Sequence, residues 1–466
     1  MVAKSRKRKT EEAGAAQPAR PPMPNWTISV RDFGRIASAE IEMAPMVVLV
    51  GKNNTGKSYM ASLLWAMMNA DEFLFNGVMA FMRSSAKDAM TERLAELIKT
   101  ANSDDGPQEL SINGQTLQAI QTILNENLDR VKNKIFDRLF SYSSEVGSLR
   151  ITLDTEGANV PFLLSINGDT FKSEYNNYPF SGVTFIFPKE HSIFAQDWIT
   201  QALVSVALTG VPFHGGKERP VFIPAARTGL MLAYQAIVAG AFETFGNGDD
   251  KQRTRLPLPV VRFLKCFTDL HTDSPSKLTP IVAALENDLI EGRVDSSKDP
   301  VPSFWYEPDL LKTQLPLHAT SSMITELAPF LLLLKNGFSE NGLVFEEPEA
   351  HLHISAQRTL ARLLVRIMNA GTRVVITTHS DTFIQQLNNL MQLHAHPKRE
   401  KLMKKFGYTA EDLLDPAMVK GYEFNPTKNG KTVVTPTKMN PGGLVVPSLN
   451  ETLIDLAEEL RALQSD

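Results

Sequence analysis

Three stretches of this 466-residue chain hold side chains whose types and spacing could do chemistry. The first is "GKNNTGKS", residues 51–58. Gly51, Gly56, Lys57 and Ser58 fit the pattern of glycine, four residues, glycine, lysine, then serine or threonine. Glycines let successive backbone N–H groups turn inward on phosphate oxygens, and a helix beginning at the loop adds favourable potential for an anion. Lys57 would reach the β- and γ-phosphates of ATP, and the Ser58 hydroxyl would ligate Mg²⁺. Asn53, Asn54, Thr55 and Tyr59 are expected to complete the nucleotide-binding segment.

The second stretch is "LVFEEPE". Adjacent carboxylates at the end of an apolar strand fall on opposite sides of it. Glu346 would hold Mg²⁺ with Ser58, and Glu347 would polarise a water as general base. The third is "VVITTHSD", where His379 at a strand end could hydrogen-bond a γ-phosphate and report its presence. His351 and His353 in "EAHLH" have His-x-His spacing with no third ligand nearby. A nucleotide-proximal or interface turn and a metal pair are both open readings for them.

These groups need elements to position them. "MVVLV" before the loop and "ASLLWAMM" after it predict strand, loop, helix. "GLVFE", the amphipathic "ISAQRTLARLLVRIMNA" and "TRVVITT" predict strand, helix, strand, hence a parallel sheet covered on both faces. Ligands on such sheets sit at the carboxyl ends of the strands, where all three polar clusters fall. Two alternating stretches in "WTISVRDFGRIASAEIEM" predict a small β-layer, and "TLQAIQTILNENLDRVKNKIFDRLF", apolar at three- and four-residue spacing, predicts a helical insertion.

The chain divides into a tail at 1–24, a P-loop lobe at 25–84, a helical and β insertion at 85–215, a second lobe at 216–395 and an α/β extension at 396–466. The tail, rich in charge, Ala and Pro, offers almost nothing to bury and is expected to be disordered. Its "KSRKRK" run reads as a solvated segment or as a nucleic-acid contact.

A net charge of −4, with 43% hydrophobic and 21% charged residues, gives no global nucleic-acid signature. Cys266 is the only cysteine, which excludes an intramolecular disulfide and reads as a small buried filler in a reducing cytosol. No apolar run approaches the roughly 18–20 residues a bilayer span needs, and no signal-peptide core is present. A cytoplasmic protein without membrane contact is expected.

Together "GKNNTGKS", "EEPEAHLH" and "ITTHSD" resemble the ABC-type ATPase head of the overcoming-lysogenization-defect, RecF and SMC/Rad50 proteins. They are most similar to the single-chain AAA-15 branch, which "VRDFGRIASAEIEM", "IPAART" and "GGLVVPSLNETLIDLAEEL" also fit. The resemblance implies an α/β, P-loop ABC-type ATPase head with a mixed or parallel core sheet, a β-layer and a helical insertion. It further implies ATP and Mg²⁺, and a homo-oligomer in which the nucleotide lies between the P-loop of one copy and a signature segment of another. "HATSSMITELAPFLLLL" matches that segment through Ser321 and Ser322, although Met323 stands where the family has Gly, so that a plain helix cap stays open. Arg227 in "IPAART" is either a charge stabiliser near the site or a structural ion pair. No glutamine can be placed as the coupler of the two lobes.

The Toprim-free head also resembles the ATPase components of PARIS anti-phage systems. That likeness implies a regulatory ATPase, slow until assembled, which senses a phage trigger protein and holds or releases a separately encoded Toprim-type nuclease. A RecF-like DNA-binding repair ATPase and the ATPase of a Septu-like two-component defence system are the alternatives, and nucleic-acid binding is left open. No Asp-x-Asp follows His379, so the nuclease itself is not expected in this chain.

Overall fold

The computed structural model describes residues 24–74, 84–85, 92, 108–112, 114–154, 160–167, 170–175, 178–179, 185–186, 192–210, 219–247, 256–270, 276, 278–299, 301–311, 313–338 and 340–464. Apart from its last residue, the tail expected at 1–24 lies outside them.

Nine strands build the main sheet: β1 (Trp26–Phe33), β2 (Ile36–Glu42), β3 (Met46–Val50), β4 (Ser148–Leu153), β5 (Val221–Ile223), β6 (Gly342–Glu346), β7 (Arg373–Thr378), β8 (Val419–Pro426) and β9 (Thr432–Pro436). Their order is β5-β6-β7-β3-β8-β9-β2-β1-β4. The run from β5 to β8 is parallel. Beyond it β9 pairs antiparallel with β8 and parallel with β2, and β1 pairs antiparallel with β2 and β4. The sheet is therefore mixed, and the expected β-layer continues the core sheet through β9.

Every residue of β3, β6 and β7 is buried, as parallel strands covered on both faces require. Alternation decides which core each side chain joins. Val47 and Leu49 of β3 face one core with α1 (Lys57–Met68), α2 (Gly114–Phe140) and α3 (Ser192–Thr209), whereas Met46, Val48 and Val50 face the other. That second core is closed by α4 (Arg227–Leu232), α5 (Ser322–Lys335), α6 (Ile354–Asn369) and α7 (Asp381–Ala395).

The apolar spacing that predicts the insertion helix is used inward. Leu117, Ile120, Leu124, Leu128, Ile135 and Leu139 are all buried in the first core, so α2 packs on the head. The segment 396–466 supplies β8, which lies directly beside the loop-bearing β3, and β9, which joins it to β2. It also contributes α8 (Arg399–Phe406) and α9 (Pro447–Gln464). Among the described residues no helix is long and apolar enough to cross a membrane.

Candidate active site

The loop at 51–56 leaves the carboxyl end of the central strand β3 and α1 starts at its close. Gly56 caps α1 with φ 95°, a left-handed conformation that glycine adopts without steric cost. A Cβ on Gly51 would come within 3.0 Å of the Phe424 Cβ and carbonyl oxygen, so the loop turns tightly against β8. Inside the turn Thr55 Oγ1 donates to the Lys52 carbonyl at 2.8 Å. Lys57 Nζ donates to the carbonyls of Gly51 at 2.7 Å and Lys52 at 2.9 Å.

Lys57 is buried, and desolvation draws its pKa below the ordinary lysine value against the opposing fields of Glu347, Glu349 and Glu346. No acidic side chain occupies the first turn of α1, which leaves the positive end of its dipole for an anion. Asn53, Asn54 and Ser58 are exposed along the rim, and the Asn54 carbonyl accepts from Arg35 Nη1 at 2.5 Å. The Tyr59 ring stacks on Phe136 with centroids 5.8 Å apart, and its hydroxyl meets that of Tyr142 at 2.7 Å. Its side chain belongs to the lobe's aromatic packing, not to the loop interior.

β6, two places from β3 in the sheet, ends in Glu346. Its Oε2 accepts from the Ala225 N–H at 3.2 Å, and the Ser58 side chain lies near enough to favour its charged form. Burial pushes its pKa above the ordinary carboxylate value, and Ser58 and the Ala225 N–H oppose the shift. Its Oε1 is buried with no hydrogen-bond partner. An orphaned carboxylate oxygen is costly, and a hard cation bound by oxygen ligands would satisfy it. Ser58 and Glu346 therefore fit the Mg²⁺ that the loop implies.

Glu347 has φ 41°, in the left-handed region that a residue with a side chain rarely adopts. Its N–H is bound to both the carbonyl of Thr377, at 3.0 Å, and the hydroxyl of the same residue, at 3.1 Å. At the end of β7, His379 Nδ1 lies 3.7 Å from Glu347 Oε1 and 3.5 Å from Glu349 Oε1. Glu349, unassigned on sequence, accepts from the Thr378 hydroxyl at 2.6 Å and from the His379 N–H at 2.9 Å. The only signal for it was a third carboxylate two residues after Glu347, which by itself looks like the polar end of a turn.

Arg227 resolves to the structural alternative. It is fully buried, its Nε is 2.8 Å from Glu326 Oε2, and its Nη atoms donate to the Glu346 carbonyl at 2.9 Å and the Glu347 carbonyl at 3.1 Å. Desolvation draws its pKa down, with Glu326 foremost among the charges that oppose this. It stands behind the carboxylates and holds their main chain.

Lys57, Ser58, Glu346, Glu347 and His379 are thus gathered at one edge of three adjacent strands. Among the described residues no hydrogen bond joins Ser321 or Ser322 to them. Both are exposed, and their hydrogen bonds stay within α5, with Ser321 Oγ accepting from the Ile324 N–H at 3.4 Å. His351 and His353 are engaged separately, the first at 2.6 Å from Glu326 Oε1 and the second capping α6 beside Ser355. No cluster of three or more metal-ligating side chains occurs among the described residues.

The family model AAA_15, described as AAA ATPase domain, matches residues 26–186 and 273–384. The chain belongs to this family. Nucleotide binding, usually with Mg²⁺, and ATP hydrolysis in general go with it. No curated protein matches the sequence. Among solved structures the chain is similar to an SMC head bound to the C-terminal winged-helix domain of ScpA, at 12% identity and TM-score 0.34, covering 90% of this chain and 98% of that one. It is also similar to the SMC head domain from Thermotoga maritima, at 11% identity and TM-score 0.32, covering 90% of this chain and all of that one. A third is an Smc head with an extended coiled coil bound to the C-terminal domain of ScpA, derived from Pyrococcus furiosus, at 12% identity and TM-score 0.34. It covers 94% of this chain and all of that one. Scores this low carry nothing over from those proteins to this chain.

Proposed function

We propose that the chain is a regulatory ATPase of anti-phage defence, in which ATP-gated assembly of copies holds or releases a separately encoded Toprim-type nuclease in response to a phage protein. The observation that carries the hydrolase part is the Glu346 Oε1, buried without a partner at the strand end, in a carboxylate that Ser58 favours in its charged form and whose field reaches Lys57. The defence part rests on the sequence resemblance to the PARIS ATPase components.

In this reading the backbone N–H groups of 51–58 and the Lys57 ammonium bind and orient the β- and γ-phosphates. Ser58 and Glu346 hold Mg²⁺, whose charge offsets that developing on the phosphates. Glu347, fixed by its bonds to Thr377, accepts a proton from the attacking water, and His379 donates to the γ-phosphate. Ser321 and Ser322 complete the site from a second copy, which their exposure at the start of α5 permits. Phosphoryl transfer is mainly positioning and electrostatics, so turnover stays slow until that copy arrives.

The test is co-purification of the tagged E347Q protein with the products of its neighbouring genes. A stoichiometric Toprim-type partner is expected. DNA in its place would favour a RecF-like role, for which one observation speaks: α8 buries no residue and, with Lys398, exposes Arg399, Lys401, Lys404 and Lys405.

A further inference from the structure

We infer that Arg227 and Glu326 form a positioning pair through which the serine-led end of α5 and the exposed His351 set the direction of Glu347. The inference rests on the hydrolase reading above.

Four segments meet at this pair. Glu326 lies one turn into α5 from Ser322, and its side chain is 1% exposed. One oxygen lies 2.8 Å from Arg227 Nε and the other 2.6 Å from Nδ1 of His351, whose own side chain is 61% exposed in the turn after the carboxylates. Arg227, 0% exposed, also donates to the carbonyls of Pro224, Glu346 and Glu347, and its guanidinium lies 4.8 Å from the Phe345 ring centroid. A planar guanidinium can hold these directions at once, which an ammonium cannot.

The geometry has a consequence for Glu347. A non-glycine residue at φ 41° persists only where its surroundings over-determine it. Here the determinants are the Thr377 bonds on its N–H and, on its carbonyl, the Arg227 bond at 3.1 Å together with that from the Ala350 N–H at 3.0 Å. A second copy that presses on Ser321 or on His351 therefore reaches the Glu347 backbone through two buried side chains. Neither member of the pair bonds to the loop that binds the phosphates, which it reaches only through the main chain of Glu346, so turnover should fall further than binding.

The experiment compares R227M/E326L, R227K, E326Q and H351A with the wild type, measuring nucleotide affinity, KM and kcat at saturating MgATP. Replacing both members of a buried ion pair by apolar residues of similar volume commonly leaves the fold intact. For R227M/E326L we expect nucleotide affinity within about threefold of wild type and kcat lower by about 30-fold or more. R227K should not restore kcat, because it lacks the fork. H351A should lower kcat at high protein concentration, where copies meet, and leave it unchanged at low concentration. A full kcat in R227M/E326L, or a loss carried by KM alone, overturns the inference. If that variant does not fold, E326Q takes its place, with roughly a fivefold kcat loss at unchanged affinity expected and an unchanged kcat contradicting it. E347Q run in parallel separates the two claims: wild-type turnover in E347Q sinks the hydrolase reading, whereas an inactive E347Q beside a fully active R227M/E326L sinks only the coupling.

Discussion

At the residue scale the site is a set of charges that tolerate burial because they face one another. Lys57 is desolvated inside its loop and is offset by three carboxylates, and Glu346 is buried with one oxygen bonded and one orphaned. Removing the ammonium leaves those carboxylates and the incoming phosphates uncompensated. K57A should therefore weaken ATP binding by roughly tenfold or more, about 1.4 kcal/mol or above, as read by titration with a fluorescent nucleotide. Glu346 acts on a different term. E346Q should bind nucleotide as the wild type does without Mg²⁺ and lose the gain in affinity that Mg²⁺ brings, which calorimetric titration with and without the ion checks.

At the element scale the buried ion pairs tie helices to the sheet. Asp412 is fully buried and takes bonds from Arg362 Nη2 at 2.9 Å and Arg366 Nε at 2.7 Å, clamping α6 to the segment that leads into β8. Burial alone would raise its pKa, but the bonds from Arg366 and Arg362 overcome that and hold it below the usual aspartate value. A depressed folded pKa means stability that is complete at neutral pH and lost as pH falls below about 4. D412A leaves two arginines unpaired and should cost about 3–5 kcal/mol, lowering the thermal midpoint at neutral pH and flattening its loss in acid.

Legibility in the sequence also divides at this scale. The runs at 46–50, 342–345 and 374–378 announce buried parallel strands because every residue in them is apolar or small, and the polar groups at their ends follow. Sequence leaves the role of Arg227 open because its partners are 99 to 120 residues away, and does not mark Glu349 because Thr378 and His379 are 29 and 30 residues on. Local patterns cannot report such pairings. β8 was hidden for a related reason: "VKGYEFNP" alternates like a peripheral strand, yet β3 pairs with it, and its Phe424 packs on Gly51.

At the scale of the whole molecule, one chain carries the phosphate loop and the carboxylates at one edge, with the α5 serines exposed and bonded only within their own helix. If a second copy supplies them, wild-type specific activity should rise with protein concentration, and S321A/S322A should abolish that rise. Two inactive proteins should then complement each other. Mixing K57A with S321A/S322A rebuilds one intact site per pair, so activity should return in the mixture and in neither component alone, as measured by phosphate release. In the proposed reaction Glu347 activates the water of ATP hydrolysis. Single-turnover hydrolysis of radiolabelled ATP by E347Q, with Mg²⁺ and saturating protein, tests it most directly. A general base of this kind contributes about 10²–10⁴-fold, so hydrolysis by E347Q should fall by a factor in that range with nucleotide affinity preserved. Hydrolysis by E347Q at the wild-type rate would contradict it.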